Sequence, residues 1–260
     1  MNVEGFLKIF EQRCDVLSAN WSAFSDAPVA RHKPSLLTTA FDPWLNLELH
    51  EGESYGGSMA LWCTIRTFAK HAVELGNEQP PNPVFFVKPN NCLQHSGPIQ
   101  VTGHPGEVHH EVELVVRLNH QGNPEAIAIG LDLTDRLTQG ELRSEQLPWT
   151  KGKCFRGSAY VGAFAPWYNG WEGFLDTYEA LHLELYVNDV LVQDAPLLEM
   201  TITPQMQIED LVKWAPVQAG DLLFTGTPSG VGQLHAGDRV RAVLKKQQTT
   251  VVSEILAKCV

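Results

Sequence analysis

The chain has 260 residues, with 19 basic against 30 acidic side chains and a formal net charge of -11. That length accommodates one large domain with a full core, and the acid excess argues against nucleic acid or an anionic membrane as partner, since either needs a basic patch. No stretch is long and apolar enough to read as a membrane span.

Glu4, Glu11, Arg13 and Asp15 punctuate the first residues, so the sequence predicts no secretory signal and a cytoplasmic location. The five cysteines, Cys14, Cys63, Cys92, Cys154 and Cys259, are odd in number and lack C-x-x-C spacing, which predicts reduced thiols and no zinc site.

In chain order, Val3, Phe6, Phe10 and Leu17 recur at helical spacing, predicting a short amphipathic helix. Residues 22–58 are irregular and Pro-containing, with T-T-A-F and L-N-L-E-L-H as candidate strands, so residues 1–60 read as an extension to a catalytic body over 61–260. Trp62 onward reads as a short strand or turn and then a helix carrying R-T-F-A-K-H-A-V-E-L. His71 and Glu74 stand three apart there and share a helix face. Such a pair is either an incidental surface contact or an imidazole oriented by a carboxylate, as a general base requires.

V-F-F-V-K-P reads as a strand ending at Lys88, and P-I-Q-V as another. The run Val108 to Leu118, V-H-H-E-V-E-L-V-V-R-L, alternates and is β-branched, which on a strand puts Glu111 and Glu113 on one face. The turn His120 to Pro124 brings A-I-A-I-G-L-D alongside, ending in Asp132. Neighbouring carboxylates repel unless a cation lies between them, so the trio is either a site for Mg²⁺ or Mn²⁺ or a solvated acidic face.

A helix is expected over D-R-L-T-Q-G-E-L-R-S-E-Q, with Thr134 fitting its cap and Arg136 and Gln139 facing either a bound acid or solvent. Lys151 or Lys153 then reaches back toward the acids. W-Y-N-G-W-E-G-F reads as a buried loop anchor. Beyond it, Asn188-Asp189 marks a hairpin turn, Met206 to Trp214 a helix, and A-G-D-L-L-F-T-G-T-P-S-G-V-G a strand running into a glycine-rich loop. Lacking G-K-[ST], that loop is no nucleotide P-loop; its amides and the hydroxyls of Thr225 or Thr227 suit a small anion.

Taken together, R-T-F-A-K-H-A-V-E, F-F-V-K-P, H-H-E-V-E-L, G-L-D-L-T-D-R-L-T-Q, L-P-W-T-K-G-K-C-F and F-T-G-T-P-S-G-V-G resemble the fumarylacetoacetate hydrolase superfamily, nearest its acylpyruvase and oxaloacetate decarboxylase branch. The resemblance implies a mostly β (α+β) fold with a rolled, mixed β-sheet core and a few short helices, a homodimer, and one Mg²⁺ or Mn²⁺ per subunit. It implies Glu111, Glu113 and Asp132 as metal ligands, and His71 and Glu74 as a catalytic pair on a lid. It further implies Lys153 facing the metal, Arg136, Gln139 and Thr227 holding the substrate, and Lys88 supporting the acids. The expected partner is a small 2-oxo acid, and the expected reaction is metal-dependent hydrolysis of a carbon-carbon bond in a 2,4-dioxo acid of acylpyruvate or fumarylpyruvate type. Oxaloacetate decarboxylation, dienoate isomerisation or hydration, and a non-catalytic metal-binding scaffold are the alternatives. Thr67 and Phe68 depart from the R-N-Y that relatives commonly carry, and Leu137 from an Asp, while the first 60 residues exceed the minimal family pattern, which puts the substrate in question rather than the metal.

Overall fold

A computed structural model describes residues 59–260, apart from residues 75, 104–105, 168–172 and 174–177. The helix expected over Val3 to Leu17, the candidate strands of the extension and most of W-Y-N-G-W-E-G-F lie outside the described residues. The described part is mostly β, as expected. Its strands are β1 (Ala60–Thr64), β2 (Phe85–Pro89), β3 (Leu93–Gln94), β4 (Val108–His110), β5 (Val112–Leu118), β6 (Pro124–Asp132), β7 (Thr134–Asp135) and β8 (Ala159–Val161). They continue through β9 (Ala165–Pro166), β10 (Leu181–Val187), β11 (Val190–Pro196), β12 (Leu222–Phe224), β13 (Gly232–Gln233), β14 (Arg239–Lys246) and β15 (Thr250–Lys258). Short α-helices cover Ala69–Glu74, Arg136–Ser144, Thr150–Lys153 and Pro204–Leu211.

An eight-stranded mixed sheet runs in the order β2-β1-β12-β5-β6-β8-β3, with β9 also on β6. β11-β10-β14-β15 form a second sheet and β13-β4-β7 a third. β5 and β6 are the middle of the large sheet. Their hairpin is closed by Asn119, whose side-chain carbonyl accepts from the Gln121 and Asn123 amides at 2.9 and 3.0 Å, so the turn that the sequence indicates is held by its own polar residues.

Both faces of β5 are covered, which is why its sequence is nearly continuous in apolar residues. Val112, Leu114, Val116 and Leu118 enter the main core, where each contributes about 2 kcal/mol of burial. Val115 enters a smaller core with Ala128 of β6, Leu61 and Cys63 of β1, and Phe224 of β12. The alternation of side chains puts Glu113 on the face of Val115, and Asp132 on the face of Ala128. The acids thus stand at the open end of the smaller core.

Three local expectations change. The run Val108 to Leu118 is not one strand: it breaks at Glu111, where β4 pairs with β7 and β13 while β5 pairs with β6. The partner strand breaks at the same level, between Asp132 and Thr134, and the Asp132 amide donates to the Glu111 carbonyl at 2.9 Å across the gap. P-I-Q-V makes a single bridge, Ile99 to Cys259, rather than a strand. The helix expected over Met206 to Trp214 is Pro204–Leu211, because Thr203 caps it from the Met206 amide and Pro204 fits its first turn. The Asn188-Asp189 turn has both residues at positive φ, 51° and 68°, as a tight hairpin with that chemistry demands. Cys63, Cys92, Cys154 and Cys259 form no disulfide among the described residues.

Candidate active site

Glu111, Glu113 and Asp132 are all buried, and each places a carboxylate oxygen within 4.8 Å of the others. Three charges so close and so dry need compensation. Lys153, the last residue of Thr150–Lys153, gives its ammonium to Glu111 at 2.8 Å and to Asp132 at 2.7 Å. The Arg136 guanidinium pairs with the other Glu111 oxygen and donates to Gln139 Oε1 at 2.7 Å. Lys88, 0% exposed, approaches Asp132 Oδ1 to 2.5 Å and donates to the carbonyls of Ser158 and Leu133 at 2.6 and 3.2 Å.

These cations are unevenly shared. Burial works to raise the Glu111 carboxyl, but Lys153 and Arg136 outweigh it and hold that group below the usual carboxylate range. Burial works to lower Lys153; Asp132 and Glu111 outweigh it and hold the ammonium above its ordinary range. Glu113 receives the Gly226 amide at 2.8 Å and no ammonium or guanidinium among the described residues. Burial, reinforced by Asp132 and Glu111, therefore pushes its carboxyl well above the usual range.

The donor set fits a hard divalent cation. Its oxygens come from two paired strands, Asp132 Oδ1 is buried without a hydrogen-bond donor despite its ionic contact with Lys88, and Glu113 lacks the positive charge its neighbours have. Oxygen ligands without sulfur or imidazole suit Mg²⁺ or Mn²⁺ rather than zinc.

His71 and Glu74 lie on Ala69–Glu74. The imidazole is buried, and its Nδ1 stands 3.0 Å from Glu74 Oε2. An ionised carboxylate only accepts, so Nδ1 carries the hydrogen and Nε2 is the basic nitrogen. The other Glu74 oxygen accepts the Gly230 amide at 2.9 Å. Gly230 has φ 97°, and a Cβ there would lie 2.2 Å from the Val192 carbonyl oxygen, so the position requires glycine.

One pocket collects most of the expected residues: His71, Glu111, Glu113, Asp132, Arg136, Gln139, Lys153 and Thr227 all line it. Glu74 and Lys88 do not; they stand behind His71 and Asp132 respectively. Lys151 is exposed and outside the cluster, leaving Lys153 as the lysine that reaches back. Thr134 is not the helix cap: Asp135 is, accepting from the Thr138 amide at 3.1 Å, because Thr134 is paired in β7. Thr225 is fully buried with its hydroxyl committed to the Leu114 carbonyl at 2.9 Å, so of these two threonines it is Thr227 that lines the pocket.

Two residues to which the sequence reading gave no supporting role, Gln193 and Thr67, hold the loop 225–230. Gln193 of β11 donates to Thr227 Oγ1 and the Pro228 carbonyl, both at 2.9 Å, and accepts from the Val112 amide and His110 Nδ1. Thr67 donates to the Thr225 carbonyl at 2.8 Å beneath Gly226, where φ is 96° and a Cβ would lie 2.0 Å from Thr67 Oγ1. The departure from R-N-Y at Thr67 and Phe68 therefore falls on buried residues that carry the loop and the helix start, not on pocket walls.

Comparison with known proteins agrees with this architecture. Residues 60–255 match the family described as fumarylacetoacetate (FAA) hydrolase, C-terminal. The chain belongs to the fumarylacetoacetate hydrolase family. It is 35% identical over 191 residues to the mitochondrial oxaloacetate tautomerase FAHD1 of Rattus norvegicus, covering 69% of this chain and 84% of that protein. Over 205 residues it is 28% identical to the mitochondrial oxaloacetate decarboxylase of Dictyostelium discoideum, covering 74% and 92%. The fold also matches the crystal structure of fumarylpyruvate hydrolase from Pseudomonas aeruginosa in complex with Mn²⁺ and pyruvate, at a TM-score of 0.69, 24% identity and coverage of 81% and 93%. The expected family and fold stand, and the oxaloacetate branch is represented among the relatives.

Proposed function

We propose that this chain interconverts the keto and enol forms of a 2-oxo acid of the oxaloacetate type, using a divalent cation held by Glu111, Glu113 and Asp132. The observation that carries the reading is the placement of a carboxylate-oriented imidazole in the same pocket as three buried carboxylates. The tautomerase activity of the rat relative and the Mn²⁺ and pyruvate held by the pseudomonad enzyme of this fold support it.

A cation at the three carboxylates would supply Lewis-acid polarisation of the 2-oxo acid. The protein's own groups do the proton work. His71 Nε2 takes a proton from C3, the C–H pair becomes the C2–C3 double bond, and the C2 carbonyl pair moves onto oxygen, which then receives the proton. Glu74, held by Gly230, stabilises the imidazolium between these transfers. Two Lys153 hydrogens go to Glu111 and Asp132, leaving the third for the oxygen on which charge develops.

The same dyad suits activation of water, which favours a second reading: hydrolysis of acylpyruvates at the distal carbonyl. Full-length protein assayed with Mg²⁺ separates the two. Accelerated enol loss from oxaloacetate, abolished by chelator, supports the first; release of pyruvate from acylpyruvates without effect on oxaloacetate supports the second. No effect on any oxo acid overturns both.

A further inference from the structure

The helix Arg136–Ser144 presents more to the pocket than the residues the reaction uses. Arg136, Gln139 and Arg143 all line it, at spacings of three and seven residues. At 100° per residue these fall on one helix stripe, and Arg143 stands about 10 Å further along the axis than Arg136. The stripe begins at the acids, where Arg136 pairs with Glu111, and ends where Arg143 donates to Asn77 Oδ1 at 2.8 Å, just beyond the helix that carries His71. Arg143 thus lines the pocket about two helical turns along from Arg136, which meets the carboxylates.

The charge of the pocket is also unusual for this chain. Although the protein carries -11 overall, four cationic side chains, Arg66, Arg136, Arg143 and Lys153, line the pocket against the three carboxylates. A divalent cation on those carboxylates leaves an excess of three formal positive charges. One carboxylate of an oxo acid neutralises one of them, and the proton transfers derived above give Arg143 no part. Guanidinium is the side chain best matched to a second carboxylate, through two parallel N–H bonds.

We propose that Arg143 selects 2-oxo acids carrying a second, distal carboxylate. This rests on the oxo-acid reading of the site and deepens it: the oxo-acid end lies at Glu111, Glu113 and Asp132, and the far carboxylate meets Arg143, which exchanges its bond to Asn77 for the ligand. The helix thereby measures the substrate from one end to the other.

The test is binding rather than turnover, on full-length protein loaded with Mg²⁺, by calorimetry with 2-oxoglutarate and 2-oxopentanoate, which differ only in the terminal carboxylate. The wild type is expected to prefer the dianion by about tenfold or more, the size of a charge-assisted contact. Arg143→Gln is expected to erase that preference and Arg143→Lys to restore part of it. Asn77→Ala is expected to keep it. An unchanged preference in Arg143→Gln overturns the proposal. So does an equal loss of both ligands in Arg143→Gln and Asn77→Ala, which would make the pair a tie for the segment above the pocket. Failure of the wild type to bind either acid would instead overturn the reading of the site itself.

Discussion

The floor of the pocket hangs from β5 and β6, strands covered on both faces, whereas the dyad above it sits on a six-residue helix whose Val73 is 76% exposed. Floor side chains are locked by buried ion pairs among Glu111, Asp132, Lys153 and Lys88. The upper segment is tethered at its margins, by the exposed Lys70–Glu199 pair, the Glu74–Gly230 bond and the Arg143–Asn77 bond. Solvent-exposed ties of this kind contribute about 0–1 kcal/mol each. The charge-bearing end is thus held wholly by buried pairs, while the proton-moving end, anchored below by the buried Phe68, His71 and Ala72, is held above by ties that reach solvent.

Substitutions should separate these two ends. Glu113→Gln, which removes the charge of the one carboxylate without a cationic partner, is expected to abolish both Mg²⁺ binding and activity; calorimetric titration with retained affinity would break the division. His71→Ala should keep the metal affinity and lower kcat/KM by about 10²- to 10⁴-fold, the usual worth of a general base. A parallel loss of metal in that variant would mean that the two ends are not independent. Lys88→Met leaves Asp132 buried beside a missing charge and is expected to cost about 3–5 kcal/mol of stability, read as a lower denaturant midpoint. Gly230→Ala forces a side chain into a left-handed position worth about 1–3 kcal/mol of strain. It should chiefly depress kcat by displacing Glu74, with little change in Mg²⁺ affinity.

The floor was legible in the sequence because its rules are local. Period-two alternation places Glu111 and Glu113, and the Asn119 to Pro124 turn returns Asp132 to them. The strand break at Glu111 was not legible, since nothing in V-H-H-E-V-E-L announces that the chain changes sheets there. The support of the loop was less legible still. Gln193 meets His110 across 83 residues and Thr67 meets Thr225 across 158, and neither contact has a periodic signature. Glu74 was visible as the partner of His71 one turn away, but its anchor at Gly230 lies 156 residues on. Chemistry-bearing residues at short spacing could be read; those that hold them in place were specified by pairing between distant strands.

The change of sheet at Glu111 has a mechanical consequence. β4 belongs to one sheet and β5 to another, and Glu111 is the single residue between them, with Leu133 the matching joint between β6 and β7. A cation gripped by Glu111, Glu113 and Asp132 would act as a rivet at that seam, adding a tie where the two sheets meet. Amide exchange over Val108–His110 should then slow on Mg²⁺ addition, while the middle of β5, already enclosed on both sides, stays as it was.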